Sequence, residues 1–160
     1  MNHPAILYID DEAGNFSGFK ATYRKQLDIH TAQSAKEGLK ILKNEKIKVV
    51  LSDQRMPGMK GTELFAELFK SSHPSVPILV SAYTDSEDLI NGINNGHIFR
   101  FIEKPWDENL LLEYIEEGIK EYDMNQMGRD FFAEKEKENE EMGKYIEFKE
   151  KNKIFKLGSK

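Results

Sequence analysis

The chain has 160 residues, 39% of them apolar and 32% charged, with 11 Gly, 5 Pro, no Cys and a formal charge of -5. Such a composition excludes collagen, a disulfide scaffold and a wholly disordered chain, and without cysteine no disulfide, thiolate zinc site, iron–sulfur cluster or cysteine nucleophile can form. The opening MNHPAILYIDDE lacks a basic leader, no run of about 18 apolar residues occurs, and net negative charge gives nucleic-acid phosphates nothing to bind, so the expectation is a cytoplasmic protein with no membrane span and no direct nucleic-acid contact.

Ala5 to Ile9 is a short apolar run ended by Asp10-Asp11, and Phe16, Phe19, Tyr23 and Leu27 then recur at helical spacing. The predicted order is strand, carboxylate-bearing loop, helix. Leu27 to Ala32 reads as a weaker strand, Ser34 caps a helix through about Asn44 with Leu39, Ile41 and Leu42 inward, and Ile47 to Leu51 is a wholly apolar third strand with Ser52-Asp53 at its end. The segment Arg55-Met56-Pro57-Gly58-Met59-Lys60-Gly61 cannot be regular. A helix resumes over Thr62 to Phe69, with Leu64, Phe65, Leu68 and Phe69 inward, and Val76 to Val80 is the fourth strand. Ser81 to Thr84 is a loop, Asp85 or Ser86 caps a helix, and Asn94-Asn95-Gly96 supplies the left-handed residues that end it. Ile98 to Ile102 is the fifth strand; Lys104-Pro105 breaks it, and Asp107 caps a helix whose apolar face carries Leu110, Leu111, Leu112, Tyr114, Ile115 and Ile119. Five apolar strands alternating with helices imply a doubly wound α/β sandwich around a parallel sheet.

In such a sheet ligands bind outside the carboxyl ends of the strands, where strand order reverses. Asp10 and Asp11 follow the first strand, Asp53 the third, Ser81 the fourth and Lys104 the fifth, so residues far apart in sequence converge on one rim. Crowded carboxylates repel unless a cation intervenes, and hard oxygen donors without His or Cys suit Mg²⁺ completed by phosphate oxygens. Lys104 adds a point charge able to pair with a phosphoryl group, and a carboxylate can serve as its covalent acceptor. Any one of these residues reads as an ordinary cap, turn or strand terminator; their joint position carries the inference.

Asp10-Asp11, the segment Ser52-Asp53-Gln54-Arg55-Met56-Pro57-Gly58-Met59-Lys60-Gly61, Ser81-Ala82 and Phe101-Ile102-Glu103-Lys104-Pro105-Trp106 together resemble the receiver domain of bacterial two-component response regulators, over about residues 4 to 120. The resemblance implies a flavodoxin-like receiver fold in which Asp53 accepts phosphate from a sensor histidine kinase or phosphotransfer protein. It further implies Mg²⁺ held by Asp11, Asp53 and the Arg55 carbonyl with Asp10 acting through water, phosphoryl contacts from Ser81 and Lys104, and Phe101 as a rotating aromatic reporting on the face of the fourth helix, fifth strand and fifth helix. Arg55 and Tyr83, each two residues beyond a site residue, would tune attack by water. Such a chain is a phosphoacceptor switch in a phosphorelay, with its own phosphorylation and dephosphorylation chemistry, rather than a turnover enzyme.

Two rival classes share the sheet, an interaction scaffold and a turnover enzyme such as a phosphatase or a flavin-binding electron carrier. A pseudo-receiver scaffold would not need Asp11, Asp53 and Lys104 together; an aspartate-nucleophile phosphatase would want a second acid two residues after the nucleophile on the first strand, and a flavin carrier a Ser/Thr-rich phosphate loop there. Phe99, Arg100 and Trp106 are candidates for a contact surface, and His3, His30, His73 and His97 lack metal spacing and read as surface.

Residues 121–160 hold 19 of the 51 Asp, Glu, Lys and Arg. The expected organisation is a receiver over 1–122 and a charged helical extension or linker over 123–160. Its apolar residues keep no clean heptad, so a solvated linker helix, a dimerising stalk and a disordered end all stand as readings. A homodimer would use the fourth-helix, fifth-strand, fifth-helix face or this C-terminal helix. No helix-turn-helix, cyclase or hydrolase motif follows residue 120, which leaves a single-domain regulator and a piece of a longer protein both open.

Overall fold

The structure, a computed structural model, describes residues 2–82, 86–95 and 97–158, without the side chains of Ser86 and 154–158. Strand β1 (Ala5–Ile9), helix α1 (Gly14–Tyr23), β2 (Asp28–Ala32), α2 (Ala35–Asn44), β3 (Val49–Asp53), α3 (Gly61–Lys70), β4 (Val76–Ser81), α4 (Ser86–Asn94), β5 (Arg100–Glu103) and α5 (Glu108–Gly158) follow one another. All pairings are parallel, in the order β2-β1-β3-β4-β5. Strand order therefore reverses between β1 and β3, and their carboxyl ends open the crevice that such sheets use for ligands.

Successive strand residues face opposite sides, so apolar strands fill two cores. Ile6, Tyr8, Val49, Leu51, Ile78, Val80 and Ile102 pack with Phe19 and Tyr23 of α1 and with Leu111, Ile115 and Tyr122 of α5. Leu7, Ile9, Val50 and Leu79 pack on the other side with Leu42 of α2 and Leu64, Phe65 and Leu68 of α3. The Ser34 hydroxyl accepts from Glu37 N–H at 3.1 Å and Asp107 Oδ1 accepts from Leu110 N–H at 2.9 Å, so both predicted caps form.

Several expectations shift. β3 and β5 begin two residues later than the apolar runs do, because Ile47 and Ile98 are buried before ladder pairing starts. Phe69 is 59% exposed and meets the His97 ring at 4.7 Å, and Leu110, in the first turn of α5, is also exposed. Among the described residues the left-handed non-glycine is Ser72 (φ 53), which turns the chain after α3, whereas Asn94 and Asn95 have ordinary φ. His73 is half-buried: its Nδ1 accepts from Ser75 N–H at 3.2 Å, which leaves Nε2 to donate to the Leu42 carbonyl at 3.3 Å. Trp106 belongs to the core edge, 6.4 Å from Tyr8 and 6.5 Å from Phe19 between ring centres. The predicted Asp85 cap, Tyr83 and Gly96 lie outside the described residues.

Two compact units divide the chain, Met1–Asp123 and Met124–Lys160. The first contains the whole sheet; the second is helical through Gly158.

Candidate functional site

Asp10 is the first residue beyond β1 and is held in line by its N–H donating to the Ala32 carbonyl at 3.1 Å. It is wholly buried, and its carboxylate is saturated with donors. Oδ2 accepts from Tyr8 Oη at 2.8 Å, Asn15 Nδ2 at 3.0 Å and Lys104 Nζ at 2.8 Å, while Oδ1 accepts from Glu12 N–H at 2.9 Å. Burial alone would raise its pKa, but the Lys104 ammonium and the other three donors outweigh it and hold the carboxyl below its ordinary value.

Asp53 ends β3, opposite Val80 in the ladder. Its Oδ1 accepts from Gln54 N–H at 2.9 Å, and its Oδ2 lies 3.5 Å from Lys104 Nζ. Burial and the neighbouring Asp10 charge raise its pKa against the opposing pull of Lys104. The two aspartates thus differ: Asp10 has a full complement of donors, and Asp53 keeps Oδ2 directed at a cation 3.5 Å away. Lys104, burdened by burial but flanked by both acids, is held charged with a raised pKa. Asp11 is exposed, and one carboxylate oxygen from each of Asp10, Asp11 and Asp53 falls within 4.8 Å of the others. Three carboxylates facing one ammonium, all hard oxygen donors, fit a divalent cation such as Mg²⁺.

Ser81, the buried last residue of β4, accepts Lys104 N–H on its carbonyl at 2.9 Å. This bond ties the fourth-strand and fifth-strand contributions together. Arg55 is exposed two residues past Asp53. Phe101 pairs with Leu79 and lies half-buried on the sheet face that carries α3 and α4. The Lys104–Pro105 peptide is cis.

Three site residues escaped the sequence reading. Tyr8 was legible only as core, although residues two apart share a strand face, which places it on the side of Asp10. Burial and the Asp10 charge drive its phenol far above its ordinary pKa, so it remains a proton donor. Asn15 reaches back to Asp10 from the first turn of α1. Gln54 locks the turn after Asp53: its Oε1 accepts Thr62 N–H at 2.9 Å, its Nε2 donates to Thr62 Oγ1 at 3.0 Å, and its carbonyl accepts Gly61 N–H at 3.1 Å. A Cβ on Gly61 would stand 2.5 Å from the Asp53 carbonyl oxygen, so the close approach requires glycine; Gly58 supplies the positive φ (84) that reverses the loop.

Beside Lys104 a cavity of about 620 Å³ opens, lined by Gly14, Gly18 and Thr22 of α1 and by Pro105 and Trp106.

Residues 6–116 match the response regulator receiver domain family. The chain belongs to that family. It is similar to the hydrogenase transcriptional regulatory protein HoxA of Cupriavidus necator, 34% identical over 71% of this chain and 24% of that protein, and to the transcriptional regulatory protein GlrR of Escherichia coli, 34% identical over 76% of this chain and 28% of that protein. The chain thus spans about a quarter of the length of these curated relatives. A CheY-like response regulator receiver domain protein from Methanospirillum hungatei superposes with TM-score 0.71 at 29% identity, covering 78% of this chain and 99% of that one. A structure titled adenylate cyclase, from Rhodopirellula baltica, gives TM-score 0.77 at 28% identity over 82% of this chain and 98% of that one. This receiver is a regulatory switch of two-component signalling, and among the described residues no helix is long and apolar enough to cross a membrane.

Proposed function

We propose that Asp53 is the phosphoacceptor of this receiver and that a sensor histidine kinase or phosphotransfer protein is its donor, in the cytoplasm. The observation that carries the assignment is the asymmetry of the acid pair: Asp10 is buried and four-fold hydrogen-bonded, whereas Asp53 is raised in pKa and carries an oxygen 3.5 Å from Lys104. A nucleophile committed to four donors is a poor one; Asp53 has the accessible lone pair. In the transfer an Asp53 oxygen forms a P–O bond as the P–N bond of a phosphohistidine breaks, and the electron pair returns to the imidazole nitrogen. Lys104 neutralises charge on the phosphoryl oxygens, and Asp10 holds the lysine at the rim from below. Asp11, Asp53 and the Arg55 carbonyl are the groups to hold Mg²⁺, with Asp10 acting through water. The ion would supply further neutralisation of phosphoryl charge.

Ser81, drawn toward the new phosphoryl group, would vacate space for Phe101 to occupy, which changes the surface of α4, β5 and α5. On the same reading Arg55, exposed two residues past Asp53, and Tyr83, outside the described residues, would tune attack by water. On this reading residues 1–122 form the switch and 123–160 an extension or linker, and the chain's own phosphorylation and dephosphorylation chemistry sets its lifetime rather than multiple turnover. The test is intact mass after incubation with a small phosphodonor and Mg²⁺. Wild type should gain one phosphoryl group, Asp11→Ala and Lys104→Ala should gain it much more slowly, and Asp53→Asn should gain none.

A further inference from the structure

On the helical unit from Met124 onward, Met124, Met127, Phe131, Met142, Tyr145 and Ile146 are each at least 50% exposed. At about 100° per residue, all of them fall in one stripe less than a third of the circumference wide. Lys135 and Glu138 lie in the same stripe, joined by an ion pair of 2.8 Å, with Lys135 Nζ 5.8 Å from the centre of the Phe131 ring. Taken as Met124, Met127, Phe131, Lys135, Glu138, Met142, Ile146 and Lys149, the stripe steps by 3, 4, 4, 3, 4, 4 and 3 residues. That is an eleven-residue repeat, which explains the absence of a heptad: 11 residues span three turns at 3.67 per turn, so the stripe runs almost straight.

The step pattern reads the same in both directions. We infer that this stripe pairs antiparallel with the same stripe of a second copy of the chain, about a two-fold axis between Glu136 and Lys137. Phe131 then meets Met142 of the second copy, Met127 meets Ile146, Lys135 meets Glu138, and Gly128 leaves room for Tyr145. Every contact is made twice, as an isologous interface requires. Charge selects the direction. An in-register parallel pair would set Lys135 and Glu138 each against itself; the antiparallel pair sets each against the other. The overlap from Met124 to Lys149 covers 26 residues, about 39 Å of helix. The inference is independent of the phosphoacceptor assignment.

A chain without cysteine makes the test direct. Full-length Phe131→Cys and Met142→Cys are oxidised separately and as an equimolar mixture, with Glu136→Cys, off the stripe, giving the collisional background. The antiparallel pair predicts a mixed disulfide between positions 131 and 142 well above background in the mixture, and neither homodisulfide. Homodisulfides from the separate variants would establish a parallel pair and overturn the inference, as would background-level disulfide in the mixture. In sedimentation equilibrium Lys135→Glu should weaken self-association roughly tenfold, and adding Glu138→Lys should restore it. Unchanged association in Lys135→Glu would contradict the stripe.

Discussion

Ile115 and Phe131 lie on one unbroken helix, yet Ile115 is wholly buried and Phe131 is 56% exposed. Between residues 108 and 123 α5 covers one face of the sheet, with Gly118 seated so close to Val49 that a Cβ there would stand 2.9 Å from its side chain. From Met124 to Phe148 the same backbone carries its large apolar residues in the open. Helix propensity cannot separate the two stretches; what lies opposite each residue does. The receiver unit derives its apolar order from the sheet, and the helical unit displays an exposed apolar stripe.

Substitution within α5 sharpens that contrast most. Ile115→Ala should cost on the order of 3 kcal/mol through lost burial and a residual cavity, whereas Phe131→Ala in dilute chain should change the stability of the receiver unit by less than about 0.5 kcal/mol. Denaturant titration followed by Trp106 fluorescence reads both. Equal effects would mean that the two stretches are not energetically distinct.

Glycine gives a second contrast, smaller and opposite in sign at its two sites. Gly61→Ala forces a Cβ against the Asp53 carbonyl and should destabilise by about 1–3 kcal/mol, while Gly143→Ala meets nothing within 4 Å and should stabilise its helix by about 0.5–1 kcal/mol. Thermal melts by circular dichroism would show the first as a lower midpoint and the second as increased helical signal at high temperature.

The acid pair yields the finest contrast, inside the receiver itself. A carboxyl whose pKa is depressed by folding contributes stability above its unfolded pKa and loses it as pH falls; one whose pKa is raised does the reverse and is an electrostatic cost at pH 7. Asp10 is depressed because Lys104, Glu12 N–H, Asn15 and Tyr8 overcome burial; Asp53 is raised because burial and Asp10 overcome Lys104. In chelator at pH 7, Asp10→Asn should therefore lower the melting temperature and Asp53→Asn should raise it. Adding acid should narrow both differences. A destabilised Asp53→Asn would reverse the assigned roles.

The strand ends were the legible part of this molecule. Asp10, Asp11, Asp53 and Lys104 could be brought together from sequence because a parallel doubly wound sheet puts every strand terminus on one rim, whatever the exact ladder. The ladder itself was less legible: Ile47 and Ile98 are apolar because they are buried, and burial begins before pairing does. Tyr8 and Gln54 were hidden for a different reason. Each acts through a polar tip, one in a strand that reads as pure core and one in a loop that reads as pure turn. The stripe on the helical unit was hidden because its repeat is eleven residues long, and Lys135 and Glu138 interrupt its apolar character at the centre.

We propose that Asp53, rather than Asp10 or Asp11, forms the acyl phosphate, and peptide chemistry reads this directly. Reduction of the phosphorylated chain with borohydride converts an aspartyl phosphate to homoserine, and cleavage after Lys48 and Arg55 isolates Val49–Arg55, in which Asp53 is the sole acid. Homoserine is expected at residue 53, dependent on Mg²⁺ and phosphodonor, with Asp10 and Asp11 unchanged in their own peptide. Homoserine at residue 10 or 11, with Val49–Arg55 unmodified, would contradict it.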